Sequence, residues 1–349
     1  MHIRSIFYLI LVVLCNSCAS ESDDRYKIEL KIPKVESKIN GVSLEMPSGA
    51  MNKNELAKVK RSNCEWIAII PYAYSKENEA AVHYDYNGQW RGEGIEGTYE
   101  CAQMAQELGL KMMLKPHVWV VGQGWPGNFD LGSEKEWLEW EKTYRKYILE
   151  YAKIADSMKI DLYSIGTEYR IAVVKRPRFW EKLIDEVREI YKGKVTYASN
   201  WDNYKKVGFW SKLDYIGVDA YFPLSNTANP TLKELKRAWK PIEADLALLS
   251  IKESKPILFT EYGYKSVEHA TTRQGLYEES SLKTSPDNQQ LAYQALFETI
   301  WSQGFMAGGF FWKWHLYSDE AVGGEANRRF TPQGKRAEKT IAKWYKRRS

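Results

Sequence analysis

Eight short runs rich in apolar and β-branched residues recur along this chain, with helix-patterned or loop segments between them. Glu65-Trp-Ile-Ala-Ile-Ile-Pro71 is the clearest. It is an almost uninterrupted apolar run, as expected of a parallel strand covered on both faces. The others span 39–45, 110–117, 161–167, 194–199, 214–221, 256–261 and 306–315. Helical patterns span 52–62, 95–108, 134–159, 177–191, 231–252, 287–303 and 331–345, and a short helical stretch reaches Leu213. Eight strand-then-helix units over roughly three hundred residues predict an α/β fold, a (β/α)₈ TIM barrel. An open doubly wound sheet is disfavoured, because no Gly-rich phosphate loop follows any run. No linker or internal repeat interrupts the span, so residues 39–349 are expected to form a single domain.

The first residues have another character. Ile6 to Leu14 is apolar but too short to span a bilayer as a permanent helix. Cys15-Asn-Ser-Cys18 follows it. Residues 1–17 resemble a bacterial lipoprotein signal peptide, with Cys18 as the lipidated residue and Cys15 as the alternative anchor. Residues 18–38 are polar and aperiodic and read as a tether. Within them, Ser20-Glu-Ser-Asp-Asp24 resembles the acidic tract of surface-exposed Bacteroidetes lipoproteins. The expected location is therefore outside the cell, lipid-anchored to the bacterial outer membrane and facing outward. Cys64 and Cys101 remain in the domain and are expected to be free buried thiols, a disulfide between them being the alternative.

Lys and Arg total 50 against 45 Asp and Glu, a net charge of +5. That excess is too small to suggest nucleic acid, and part of it sits in the C-terminal Lys343-Trp-Tyr-Lys-Arg-Arg. Five His without ligand spacing predict no metal, and no cofactor is expected. Aromatic residues make up 14% of the chain, with 14 Trp and 23 Tyr. Flat amphipathic rings suit a surface that stacks on sugars, and the surplus is read as a carbohydrate-binding cleft.

Barrels collect their chemistry where strands end, at the C-terminal face. The run ends here supply Glu45, Tyr72, His117 with Trp119 beyond it, Glu168, Asn200 and Trp201, Asp219 and Tyr221, Glu261, and Trp312, Trp314 and His315. Almost every end carries an acid, an imidazole, an amide or a large ring. Two of the acids, Glu168 and Glu261, close the fourth and seventh runs, which lie across a closed barrel from one another.

Four segments, Gly166-Thr-Glu168, Gly217-Val-Asp-Ala-Tyr221, Phe259-Thr-Glu-Tyr-Gly263 and Gly308-Gly-Phe-Phe-Trp-Lys-Trp314, each close a strand. With them the chain resembles the retaining (β/α)₈ glycoside hydrolases, and most of all glycoside hydrolase family 113, the endo-β-1,4-mannanases. The resemblance implies Glu168 as acid/base and Glu261 as nucleophile of a double displacement. Tyr221 is expected to hydrogen-bond Glu261. Tyr72, His117, Trp119, Asn200, Trp201, Trp312 and Trp314 are the expected substrate contacts, with Lys115 beside the same rim. Arg170 is read either as orienting a carboxylate or as a surface pair. Most of this clan carries Asn before the acid/base, where this chain has Thr167; the change is compatible with the axial 2-hydroxyl of mannose. The expected partner is a β-linked polysaccharide or oligosaccharide, acted on by a monomer. The alternatives are the same mechanism on another β-glycan, and a non-catalytic glycan-binding lipoprotein.

Overall fold

The computed structural model describes residues 33, 35, 37–273, 278–317 and 322–347. The leader, both candidate lipid-bearing cysteines and most of the tether lie outside the described residues. Ten strands are present among them: β1 (Ile39–Glu45), β2 (Trp66–Ile69), β3 (Tyr72–Lys76), β4 (Lys111–Leu114), β5 (His117–Val121), β6 (Leu162–Thr167), β7 (Lys194–Asn200), β8 (Ile216–Asp219), β9 (Ile257–Tyr262) and β10 (Met306–His315). Eight of them close a barrel in the order β1-β10-β9-β8-β7-β6-β4-β2, and every pair is parallel. The (β/α)₈ barrel expected from the alternating runs is the observed fold.

The other two strands were not separable in the sequence. β2 and β4 stop short of Pro71 and Pro116, which have no N–H to give a ladder. Beyond the prolines the chain resumes as β3 and β5, a two-stranded parallel ribbon above the barrel rim. The two stories are stitched by His117 N donating to Pro71 O (2.9 Å) and Lys115 N donating to Ile69 O (2.9 Å).

Alternation along the strands sorts side chains into two cores. Ala68, Ile70, Met113, Leu162, Leu258, Ala307 and Phe310 pack inside the barrel with Ile39. Ile67, Ile69, Phe259 and Ile257 point outward, under the helices. Phe310 is the large plug of the interior, and Gly41 opposite it is obligatory: a Cβ there would sit 2.4 Å from the Phe310 ring.

The layer outside the barrel absorbs most of the aromatic residues. Trp140, Trp180, Trp210, Trp239 and Trp314 are fully buried. Trp140 stacks on Tyr144 (4.7 Å), Tyr144 meets Trp180 edge-on (5.4 Å), and Trp180 meets Tyr197 (5.4 Å). The helix Glu134–Ser157, capped by Ser133, presents Trp137, Trp140, Tyr144, Tyr147 and Tyr151 to this layer. The aromatic surplus is therefore chiefly barrel-to-helix packing, and the reading of it as a sugar-binding surface is corrected. Cys64 and Cys101 are free and buried.

After β7 the short helical stretch expected up to Leu213 is present as the 3₁₀ turns Tyr204–Lys206 and Trp210–Lys212. The last helix begins at Arg336, not at Thr331. Residues 331–334 instead form a turn held by buried Gln333, which accepts from Thr331 Oγ1 (2.9 Å) and His315 N (2.7 Å).

Candidate active site

The C-terminal ends of the barrel strands converge on one buried ion cluster. Lys115, just past β4, is fully enclosed. Its Nζ donates to Glu261 Oε1 (2.5 Å) and to Asp219 Oδ1 (3.1 Å). The Tyr221 hydroxyl donates to the other Glu261 oxygen, Oε2 (2.7 Å). The Thr260 hydroxyl donates to Asp219 Oδ1 (2.7 Å).

A bulge makes this possible. β8 and β9 run in register through Val218 and Phe259, then Asp219 pairs with Glu261, skipping Thr260. A bulge re-aims side chains by placing two residues opposite one. Here two consecutive residues of β9, Thr260 and Glu261, both reach groups of the same cluster.

Electrostatics separate the carboxyls. Lys115 faces opposing influences: burial disfavours its charge, but Asp219 and Glu261 outweigh that and hold its pKa above the ordinary lysine range. One ammonium serves two carboxylates, so one of them is short of charge. That one is Asp219. Burial, and then the charge of Glu261, push it up to about 7 against the pull of Lys115 and Thr260. Its Oδ2 is buried without a partner, since both donors crowd onto Oδ1.

Glu168 is placed differently. It follows β6 with φ of 57°, the left-handed region that costs a non-glycine residue on the order of 1 kcal/mol. Its N–H donates to Ala198 O (2.8 Å), which pins that turn against β7. No ion pair to its carboxyl exists among the described residues. Burial, then the charges of Asp219 and Glu261, push its pKa well above the usual carboxylate range, and Lys115 offsets only part of this. One half of the site thus holds a carboxylate that accepts from an ammonium and a phenol. The other half holds a carboxyl group whose burial and acidic neighbours favour its protonated form.

Aromatic and imidazole groups border the pair. His117 Nε2 lies 3.5 Å from Glu261 Oε1. Burial and the nearby charges of Lys115 and Lys313 hold the His117 pKa well below the ordinary value, so the ring is neutral. Trp312 stacks parallel to His117 (6.1 Å, 3°), and Tyr72 meets it edge-on (5.3 Å). Trp119 is half-exposed on the ribbon, on the face of β5 that also carries His117.

Not every expected residue joins them. Trp314 is fully buried in the outer core, under the Arg61 guanidinium. The register explains it: β1 pairs Ser43 with Trp312 and Leu44 with Trp314, so Lys313 is an extra residue and the two indoles leave the strand on opposite sides. Trp314 is withdrawn as a substrate contact. Trp201 leans on Phe222 (6.0 Å) and packs against the outer core. Asn200 ends β7 with its Oδ1 buried and without a partner. Arg170 pairs with Asp202 (3.2 Å) and lies over Trp125, the surface-pair alternative.

Lys115 and Asp219 were strand-end residues in the sequence but not named site members. The available signal was a lysine closing the apolar run Met112-Met-Leu-Lys115 on the inward side, where only paired charge is tolerated. Nearby, Glu45 Oε1 lies 2.9 Å from His315 Nδ1, and Glu45 pairs with Lys313. Burial opposes its charge, yet these two partners bring its pKa down to about 2. Among the described residues no His, Cys, Asp and Glu group could hold a metal ion.

The model of glycoside hydrolase family 113 matches residues 47–335. No curated protein sequence matches the chain significantly. Among solved structures, a GH113 β-1,4-mannanase is 25% identical with a TM-score of 0.75, covering 88% of this chain and 99% of that one. The GH113 β-mannanase AaManA of Alicyclobacillus acidocaldarius, solved in complex with ManMIm, is 22% identical with a TM-score of 0.76, covering 88% and 97%. A β-glucuronidase of Ruminococcus gnavus shares the barrel at 14% identity and a TM-score of 0.60, with only 52% of that chain covered. With the family's model spanning nearly the whole barrel and both glutamates at its C-terminal mouth, the chain belongs to glycoside hydrolase family 113 and is a glycoside hydrolase.

Proposed function

We propose that the chain hydrolyses β-1,4-linked mannan with retention, Glu261 acting as nucleophile and Glu168 as acid/base. The supporting observation is the contrast between the two carboxyls: Glu261 is served by Lys115 and Tyr221, and Glu168 is pushed toward its protonated form. Environments that set two carboxyls apart assign the acid and the base. Mannan as substrate is supported by the family and by the mannanases that share the barrel.

In the first step Glu261 attacks the anomeric carbon. The glycosidic C–O bond breaks, and the Glu168 proton passes to the leaving oxygen. In the second step water attacks the same carbon, Glu168 takes the water's proton, and Glu261 leaves as carboxylate. The neutral His117 and the Trp312 face border the sugar being cleaved.

Glu168→Ala tests the assignment. Polymer turnover is expected to fall by about 10²–10⁴-fold, the usual worth of a positioned acid. An aryl β-mannoside with a good leaving group needs no acid, so its first step should survive, and azide should accelerate the variant to a β-mannosyl azide. The wild-type profile should keep its activity to a pH well above the ordinary carboxylate range before Glu168 loses its proton, and this alkaline limb should vanish in the variant. An α-configured first product, read by NMR, would remove the retaining mechanism.

We further propose that the mature protein is anchored through a lipid on Cys18. Membrane fractionation with intact-mass analysis checks this. Cys18→Ser should release the enzyme to the soluble fraction with no acyl mass, and an unchanged membrane-bound, acylated protein would refute the site.

A further inference from the structure

The ribbon above the barrel rim has unlike faces. β3 and β5 pair in parallel register, Tyr72 with His117, Tyr74 with Trp119 and Lys76 with Val121. Alternation puts these side chains on one face and those of Ala73, Ser75, Val118 and Val120 on the other. The second face is buried against the outer core. The first is open: Tyr72, Tyr74 and His117 are half-buried, and Trp119, Val121 and Lys76 are exposed.

The lowest rung of the open face belongs to the reaction centre. Tyr72 meets the His117 ring edge-on (5.3 Å), and His117 Nε2 is 3.5 Å from Glu261 Oε1. The next rung, Tyr74 and Trp119, stands two residues farther along, about 6.6 Å of strand and on the order of one pyranose ring. The open face therefore leads from the catalytic carboxylate to an indole that is 49% exposed.

That second rung is fixed from both sides. Tyr74 exchanges backbone hydrogen bonds with His83 (2.7 and 2.8 Å), and its hydroxyl donates to Glu93 Oε2 (2.6 Å). Gln89 Nε2 donates to Tyr72 O (2.7 Å), which ties the following loop to β3. Tyr86, from the same loop and also exposed, meets the Tyr74 ring edge-on (5.9 Å). On the other side Val120 bridges Gly124, and a Cβ on Gly124 would sit 3.4 Å from the Trp119 indole. A ring held in this way loses little freedom when a ligand covers it. The tryptophans between barrel and helices are buried, so Trp119 is not part of that packing. Large rings grouped on one open face mark a binding surface.

We propose that Trp119 and Tyr74 form a distal subsite, which holds a further sugar unit of a β-1,4-linked chain beyond the two that share the cleaved bond. The indole stacks on the C–H face of that unit, and the Tyr74–Glu93 pair beside it meets its hydroxyls. Binding energy gained at this remote unit is used at the reacting one, so the enzyme favours longer chains. The proposal rests on reading the cleft as a β-1,4-glycan site.

Reducing-end release from the series mannobiose to mannohexaose, and from cellobiose to cellohexaose, tests it on the intact protein. In the series that the wild type cleaves, kcat/KM is expected to rise about tenfold or more at one added sugar beyond the disaccharide. Trp119→Ala should remove that step. Trp119→Phe, which keeps a ring, should restore most of it. Circular dichroism of both variants should match the wild type. A step that persists in Trp119→Ala, or a wild type without a step, overturns the subsite, and cleavage of mannohexaose then leaves the mannan reading standing. A Trp119-dependent step in the cello series alone keeps the subsite and removes the mannan assignment. Cleavage of neither series overturns both.

Discussion

Glu261→Ala is expected to lower mannan hydrolysis by ~10⁴-fold or more, with the barrel still folded. The size follows from losing the proposed covalent nucleophile, which the remaining groups of a site do not replace. The intact fold follows from charge. In the wild type Lys115 faces two carboxylates, and without Glu261 it faces Asp219 alone, an even pairing. Circular dichroism should be unchanged, and added azide should restore turnover of an activated aryl mannoside with inverted product. Near-normal hydrolysis by the variant would end the assignment of Glu261.

The second large effect is expected at Lys115, and it is of the opposite kind. Lys115→Met leaves Asp219 and Glu261 together in a buried site with no cation. Removing one partner of a buried ion pair costs about 3–5 kcal/mol. The pH dependence gives the test its sign. Asp219 is already pushed up to about 7 with Lys115 present, and without the ammonium it is pushed further. A carboxyl whose folded pKa is raised destabilises the fold above its unfolded pKa, and the penalty is relieved as the pH falls and the proton returns. Urea unfolding should therefore show a larger deficit at about pH 8 than at about pH 5. A deficit equal at both would mean that Lys115 matters for packing, not for charge. Lys115→Arg, which keeps the cation, should recover more of the stability than of the activity.

Sequence legibility followed physical range. The barrel could be read because each strand is a local pattern: an apolar run such as Trp66–Ile69 states its own burial. The ribbon could not, because the apolar runs end at Pro71 and just past Pro116, and nothing local to residues 72–76 and 118–121 shows that the chain pairs again beyond them. Glu168 and Glu261 stood out because they close strands. The partners of Glu261 did not, since Lys115 is 146 positions away and nothing local connects them. Trp314 was misplaced by assuming strict alternation to the end of β10, where one extra residue, Lys313, turns the ring outward. The aromatic count misled because composition carries no address. Trp140 and Trp180 serve the packing between barrel and helices, whereas Trp312 borders the cleft, and all count alike.

The single ammonium among three acids has a consequence for the proposed cycle. When Glu261 becomes an ester it gives up its negative charge, and in the same step Glu168 acquires one by releasing its proton. The formal charge of the pocket stays constant while the anion migrates from one wall to the other. Lys115 is then left one-to-one with Asp219 for the lifetime of the covalent species. Held by Thr260 as well, that residual pair supplies a fixed electrical reference against which the migrating charge returns when water completes the turnover.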